Sequence, residues 1–308
     1  MNSPLLSVVI PCFNVAPFIE ECVKHLLSHP VDAEILLVDN ASEDDTWLTL
    51  EIIKQTYPQV SLFQQPEKGA CAARNLGLKK ARGRFIKFLD ADDLVDGHQL
   101  DHQLKELEST SADILFSPFV KRNVRGEEHT VLPLKDVWKG LFTTQLGLTS
   151  ALLFRTDAVK NVQGWNPALS SSQEYDLLFR LLQQGATYSF SAEVAAQVRE
   201  RETGQISTSN PVPRWSNYLE LRVSILEHLT QTKTEYFAKE SGFFYQAFFD
   251  VLHICFPYLP ERTLELHNRY IVKRFTPQTS AACSSKFLLL YRIFGFSGAE
   301  RIKKIAGI

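Results

Sequence analysis

Arg84-Phe85-Ile86-Lys87-Phe88-Leu89 runs straight into Asp90-Ala91-Asp92-Asp93, so a strand-like apolar segment delivers three carboxylates to one place. Carboxylates this close repel one another unless a cation stands among them. Hard oxygen donors of this kind suit Mg²⁺ or Mn²⁺. Mg²⁺ is commonly held by one or two carboxylates and completed by substrate phosphates, so the cluster points to a phosphate-bearing ligand as well as a metal. An Asp-x-Asp pair also arises by chance in a chain of this length, and its place at a strand end is what gives it weight.

Glu174 is the second residue with chemical potential. It opens a helix whose apolar stripe is Leu177, Leu178 and Leu181, and that spacing turns its carboxylate toward the core side of the helix start. It is either a cap answering the helix dipole or a base directed into a cleft. Asp176 has a simpler explanation, an ion pair with Arg180 four residues on. Lys68-Gly69-Ala70-Cys71-Ala72-Ala73-Arg74-Asn75 places a glycine before a helix between two cations. Its N–H groups and charges can face a nucleotide, or simply form a turn into an Ala-rich helix. His98 and His102 lie four apart but have no third ligand for a metal, and no Gly-x-Ser-x-Gly elbow supports acyl transfer.

These residues need a scaffold, and the chain alternates strand and helix patterns from the start. Strands are expected at Ser7–Pro11, Glu34–Asp39, Val60–Gln64 and Arg84–Leu89. Helices are expected at Phe18–Leu27, from a cap at Ser42 toward Tyr57, at Ala70–Ala81 and at Leu100–Leu107. Ile114–Phe119 reads as one further strand. Arg122–Glu128 reads as a hairpin tip, Leu152–Arg155 as a strand, Thr156–Val162 and Gln173–Gln184 as helices, and Tyr188–Phe190 and Val194–Arg199 as strands. The βαβα rhythm predicts an α/β fold with a mostly parallel sheet covered by helices. Pro211 and Pro213 place a boundary near Asn210, giving a domain over 1–210 and a helical region over 211–308.

In open α/β sheets ligands collect at the carboxyl ends of strands. Here those ends carry Pro11-Cys12-Phe13-Asn14, Asp39-Asn40 and the acid cluster. Turn formation also accounts for Asp39 and Asn40. A dinucleotide cofactor is not expected, because the glycines after the first strand are missing, whereas a mononucleotide with its base near Phe13 and Asp39 fits.

The composition is that of a globular chain: 308 residues, 44% hydrophobic, with a formal net charge of −2. That balance gives no polyanion signal, so nucleic acid is not an expected partner. Leu5–Ile10 is too short for a signal or anchor and no later segment reaches membrane-spanning length, which predicts a cytoplasmic protein. Five scattered cysteines without a Cys-x-x-Cys pair suit a reducing compartment. The segment Lys286 to Ile308 mixes apolar and basic residues. It is expected either to pack on its own domain or a homodimer partner, or to lie peripherally on the inner membrane face.

Five stretches occur in order: Ser7 to Asn14, Glu34 to Ser42, Gly69 to Gly77, Phe88 to Asp93, and Gln173 to Leu177. Together they resemble glycosyltransferase family 2, inverting enzymes with the GT-A nucleotide-diphospho-sugar transferase fold, many of polysaccharide biosynthesis. The resemblance covers roughly residues 5 to 205 and implies roles residue by residue. Pro11, Phe13 and Asn14 line the nucleotide pocket, Asp39 binds the base (commonly uracil), and Lys68, Arg74 and Ala91 lie along the nucleotide-sugar. Asp90 faces ribose or metal, Asp92 ligates Mn²⁺ or Mg²⁺, and Glu174 is the catalytic base. The family usually has a Glu-Asp pair where this chain has Gln173-Glu174, and it often has a histidine after the last arginine of the sheet. None occurs in Arg199 to Gln205, so Arg201 is assigned to the diphosphate. The implied reaction moves a sugar from a UDP-sugar to a hydroxyl of a glycan or lipid-linked acceptor. A nucleotidyltransferase, or a sugar-nucleotide-binding protein without catalysis, are the alternatives.

Overall fold

Branched and aromatic residues dominate β1 (Leu6–Cys12), β2 (Ala33–Asp39), β3 (Val60–Gln64) and β4 (Phe85–Phe88), and nearly every side chain of β1 and β2 is buried. Burial on both faces is the signature of parallel strands sandwiched between helices. The computed structural model describes residues 4–200, 211–271 and 274–306. Its seven-stranded sheet has the order β3-β2-β1-β4-β8-β5-β9, with β5 at Ile114–Phe116, β8 at Leu153–Arg155 and β9 at Tyr188–Phe190. β8 pairs antiparallel with both β4 and β5, and the other pairings are parallel. A three-stranded sheet, β10-β6-β7, is formed by Phe119–Arg122 (β6), Glu128–Val131 (β7) and Ala196–Arg199 (β10).

Two expectations are corrected. Ile114–Phe119 is not one strand: it divides between the two sheets at Ser117-Pro118, where proline has no N–H to continue a ladder. The first helix is α1 (Ile19–Leu26), and the helix expected from Ser42 starts only at Thr46, as α2 (Thr46–Thr56). Ala41 takes a positive φ of 57°, the Ser42 hydroxyl accepts the Asn14 N–H at 3.1 Å, and Asp44 Oδ1 accepts the Thr46 N–H at 3.0 Å. The residues that read as a cap instead form a loop between β2 and the helix.

Helix α3 (Ala70–Lys80) packs on β1 through a glycine. A Cβ added at Gly77 would stand 2.2 Å from Val9 Cγ1, so only glycine lets the helix come this close. Helix α4 (Gly97–Ser109) opens with a capping box from Asp96 and Gln99. The short helices α5 (Val137–Thr143) and α6 (Thr156–Asn161) follow, and α7 (Gln173–Gln183) buries Leu177, Leu178 and Leu181 as its spacing predicts.

The chain divides into two compact units, residues 1–169 with 173–205, and residues 170–172 with 206–308. The second is helical: α8 (Pro211–Thr232), α9 (Thr234–Cys255), α10 (Pro260–Tyr270) and α11 (Ser285–Ala306). Its core is aromatic, with Phe244, Phe248 and Phe249 fully buried and Phe287 and Phe296 nearly so. Among the described residues no helix is long and apolar enough to cross a membrane. All five cysteines are buried and free.

Candidate active site

Strand order reverses at β1, whose neighbours β2 and β4 connect to opposite sides, and a crevice opens beyond the strand ends at such a switch point. Two groups of predicted residues lie at these ends.

The first is at the end of β1 and β2, where Cys12 is in register with Asp39. Asp39 is 5% exposed and its Oδ1 is buried without a hydrogen-bond partner among the described residues. A carboxylate oxygen left unsatisfied costs stability, so it is a natural acceptor for an incoming donor group. Pro11 is half-buried, while Phe13 and Asn14 are exposed. Asn14, at φ 52°, accepts the Glu43 N–H on its side chain at 2.8 Å. Lys68 stands 5.5 Å from the centre of the Phe13 ring and pairs with Glu43 at 2.5 Å. Asn40 ties this group to α3. Its amide donates to the carbonyls of Gln65 (3.0 Å) and Glu67 (2.7 Å), and its Oδ1 accepts the Gly69 N–H at 2.7 Å.

The second group surrounds the acids. Arg74, 6% exposed at its side chain, donates to Asp90 Oδ1 at 2.6 Å and to Gln173 Oε1 at 3.1 Å. Its guanidinium lies 4.5 Å from the Trp165 ring centre, and its Nε is buried without a hydrogen-bond partner among the described residues. One cation therefore joins the acid loop to the first residue of α7, which lies 99 positions beyond Arg74 in the chain. Glu174 follows Gln173 directly and Asp92 lies two positions beyond Asp90, and both are half-buried.

Asp93 does different work from Asp90 and Asp92. It is buried, accepts from the Ser150 hydroxyl at 2.6 Å and from the Arg199 N–H at 3.3 Å. Burial, reinforced by the charges of Asp90 and Asp92, pushes its carboxyl well above the usual range. Ser150 also accepts the Asp90 N–H at 3.1 Å, and the Asp93 N–H returns to the Asp90 carbonyl at 3.0 Å, closing a tight turn. Arg199 holds the same turn from β10. Its Nε donates to the Asp92 carbonyl at 2.6 Å and its Nη1 pairs with Glu21 at 2.6 Å. Leu94 and Gln197 exchange backbone bonds of 2.9 and 2.8 Å just beyond.

Beneath the turn, Lys87 is fully buried, donating to Gln103 Oε1 at 2.9 Å and more weakly to the Leu152 carbonyl at 3.4 Å. Burial pushes its amine down to about 7, against the opposing pull of Asp93. Gln173, Trp165, Ser150, Arg199 and Lys87 were not among the candidate site residues. Lys87 carried a readable signal, a lysine inside an apolar strand, and Gln173 and Arg199 stood in stretches already singled out. The others become visible when the chain is folded.

The sequence expectations are placed as follows. Ala91 is buried within the acid turn. Asp176 pairs with Arg180 at 2.8 Å as expected. His98 stacks on His29 with centroids 3.8 Å apart, and among the described residues it belongs to no group of three metal-ligating side chains. Arg201 lies outside the described residues.

The seven-stranded sheet with its acid turn at the switch point is the GT-A architecture. Residues 7–152 match the family model described as glycosyl transferase family 2. Among curated relatives, "Uncharacterized glycosyltransferase EpsJ" of Bacillus subtilis is 34% identical over 131 residues, covering 42% of this chain and 38% of EpsJ. The chain thus spans well under half of that relative's length. Among solved structures, S. aureus TarS 1-349 in complex with UDP-GlcNAc superposes with a TM-score of 0.65 at 17% identity, covering 98% of this chain and 91% of TarS 1-349. The mannosyltransferase PcManGT from Pyrobaculum calidifontis, in complex with GDP-Man and Mn2+, gives 0.59 at 17% identity, covering 99% and 88%. At these identities the likeness is one of fold.

Proposed function

We propose that this chain transfers a sugar from a nucleotide-diphosphate donor, with UDP as the carrier, to an acceptor hydroxyl in one inverting displacement. The observation that carries this reading is the Arg74 bridge, because one guanidinium joins the turn that bears Asp92 to the helix start that bears Glu174. Asp39, with its unpartnered oxygen, stands as the acceptor for the base. Phe13 offers a face for it, and Asn14 and Lys68 flank it.

Among the described residues no three His, Cys, Asp or Glu side chains form a ready metal cage. Asp92 and Asp90 supply two carboxylates, which fits Mg²⁺ or Mn²⁺ arriving with the diphosphate rather than a resident ion. When bound, the metal neutralises charge on the departing diphosphate. The chain's own residues do the rest. Glu174 takes the proton of the acceptor hydroxyl, whose oxygen then bonds to the anomeric carbon as the bond to the diphosphate oxygen breaks. Attack from the face opposite the leaving group inverts the centre, and the nucleoside diphosphate departs. Arg74 keeps Asp90 and the α7 start at fixed separation, so donor and base meet in a set geometry.

Two variants test this. Asp92→Asn should stay folded and lose metal-dependent turnover. Glu174→Gln should lower single-turnover rates by roughly 10²–10⁴ while donor affinity stays within twofold, the signature of a lost proton acceptor. If Glu174→Gln turns over at the original rate, Glu174 is not the base. Thermal stabilisation by UDP- against GDP-sugars with Mn²⁺ identifies the donor without the acceptor. TarS and PcManGT, solved with UDP-GlcNAc and with GDP-Man, supply the two nucleotides to compare.

A further inference from the structure

We infer that the outer face of α11 docks on an anionic lipid bilayer surface. The helix has two distinct sides before it breaks at Gly295, whose φ of 68° and ψ of −179° interrupt it. Phe287 (3% exposed) and Leu288 (6%) are buried in the helical unit, where the Phe287 ring lies 4.1 Å from His253. Lys286, Leu289, Leu290 and Ile293 follow the three-and-four spacing of the opposite side, with Arg292 and Phe294 at its margins. There Leu289 is 59% exposed, Ile293 61% and Phe294 54%. Packing within the unit explains the first side and leaves this second one uncovered.

Charge selects the occupant. The charged residues of α11 are Lys286, Arg292, Glu300, Arg301, Lys303 and Lys304. The one acid is removed from the surface: Glu300 is 3% exposed and pairs with His253 at 2.5 Å, whose other ring nitrogen meets Lys303 at 3.0 Å. Every exposed charge on the helix is therefore positive, and Ile305 beside Lys304 is 87% exposed. Exposed Leu, Ile and Phe set among Lys and Arg match the boundary between acyl chains and anionic headgroups. A second copy of this chain is a poorer match, because a two-fold contact on this face would set the same cations against each other.

The full chain, floated with vesicles of phosphatidylcholine containing one third phosphatidylglycerol, should rise with them. Flotation should fall roughly tenfold with phosphatidylcholine alone, and by a similar factor in Leu289→Gln/Ile293→Gln. Both positions are exposed, so the variant keeps its circular dichroism and melting temperature. Three outcomes would overturn the inference: no flotation with anionic vesicles, unchanged flotation of the double variant, or a solution dimer that the double variant dissociates while vesicles bind neither form.

Discussion

Arg74 illustrates how one side chain serves the proposed chemistry without being open to it. Its guanidinium is sandwiched between Asp90, Gln173 and Trp165 and is nearly sealed from solvent. A planar fork can meet two acceptors and lie on an indole at once, which an ammonium cannot. Arg74→Lys is therefore expected to weaken donor binding by about tenfold or more despite the retained charge. Titration calorimetry with the UDP-sugar checks this, and unchanged affinity would assign Arg74 to folding alone. Gln173 stands where the family that the sequence resembles usually has an acid, and here it accepts from Arg74. A second carboxylate at that position would share the guanidinium with Asp90, whereas the neutral amide completes the fork and leaves Glu174 as the only acid of the pair.

At the scale of elements, two contacts position the site from a distance. Asn40, at the end of β2, bonds to two carbonyls and one N–H of the 65–69 loop and so sets where α3 begins. Asn40→Ala should cost about 1–3 kcal/mol in urea unfolding, because three backbone groups lose their partner at once. Gly77→Ala should cost about 1–3 kcal/mol by overpacking α3 against Val9, with donor affinity falling alongside as Arg74 shifts. The βαβ rhythm, and with it the strand ends carrying Asp39 and Asp90, was readable because apolar runs and helix periodicity are local properties. The second small sheet was not, since Pro118 breaks a run that looks continuous in hydropathy and its partner β10 lies far along the chain. The same holds for Ser150 and Arg199: their hydrogen bonds to the acid turn come from segments about 60 and 107 residues away, and spacing alone carries no trace of them.

Across the whole molecule, buried ionisable groups couple the site to stability. Lys87 has its amine lowered to about 7 from an ordinary 10.5. Between those values the folded chain holds a neutral amine while the unfolded chain still binds a proton, so stability rises with pH through that window. Unfolding free energies at pH 7 and pH 9 should show this rise in the natural chain and a smaller one in Lys87→Met. Equal slopes in both would mean that the amine stays charged in the fold. The buried free thiols lead to a further consequence. Burial raises Cys71 to about 11 and pushes Cys12 and Cys22 upward too, and only the thiolate reacts readily. Alkylating reagents can then reach these sulfurs only when the surrounding segment transiently opens. Cys12 ends the first strand and Cys71 sits less than one helical turn before Arg74, so the protein carries two built-in clocks. Their alkylation half-lives read how tightly each half of the crevice is shut, before any acceptor is known.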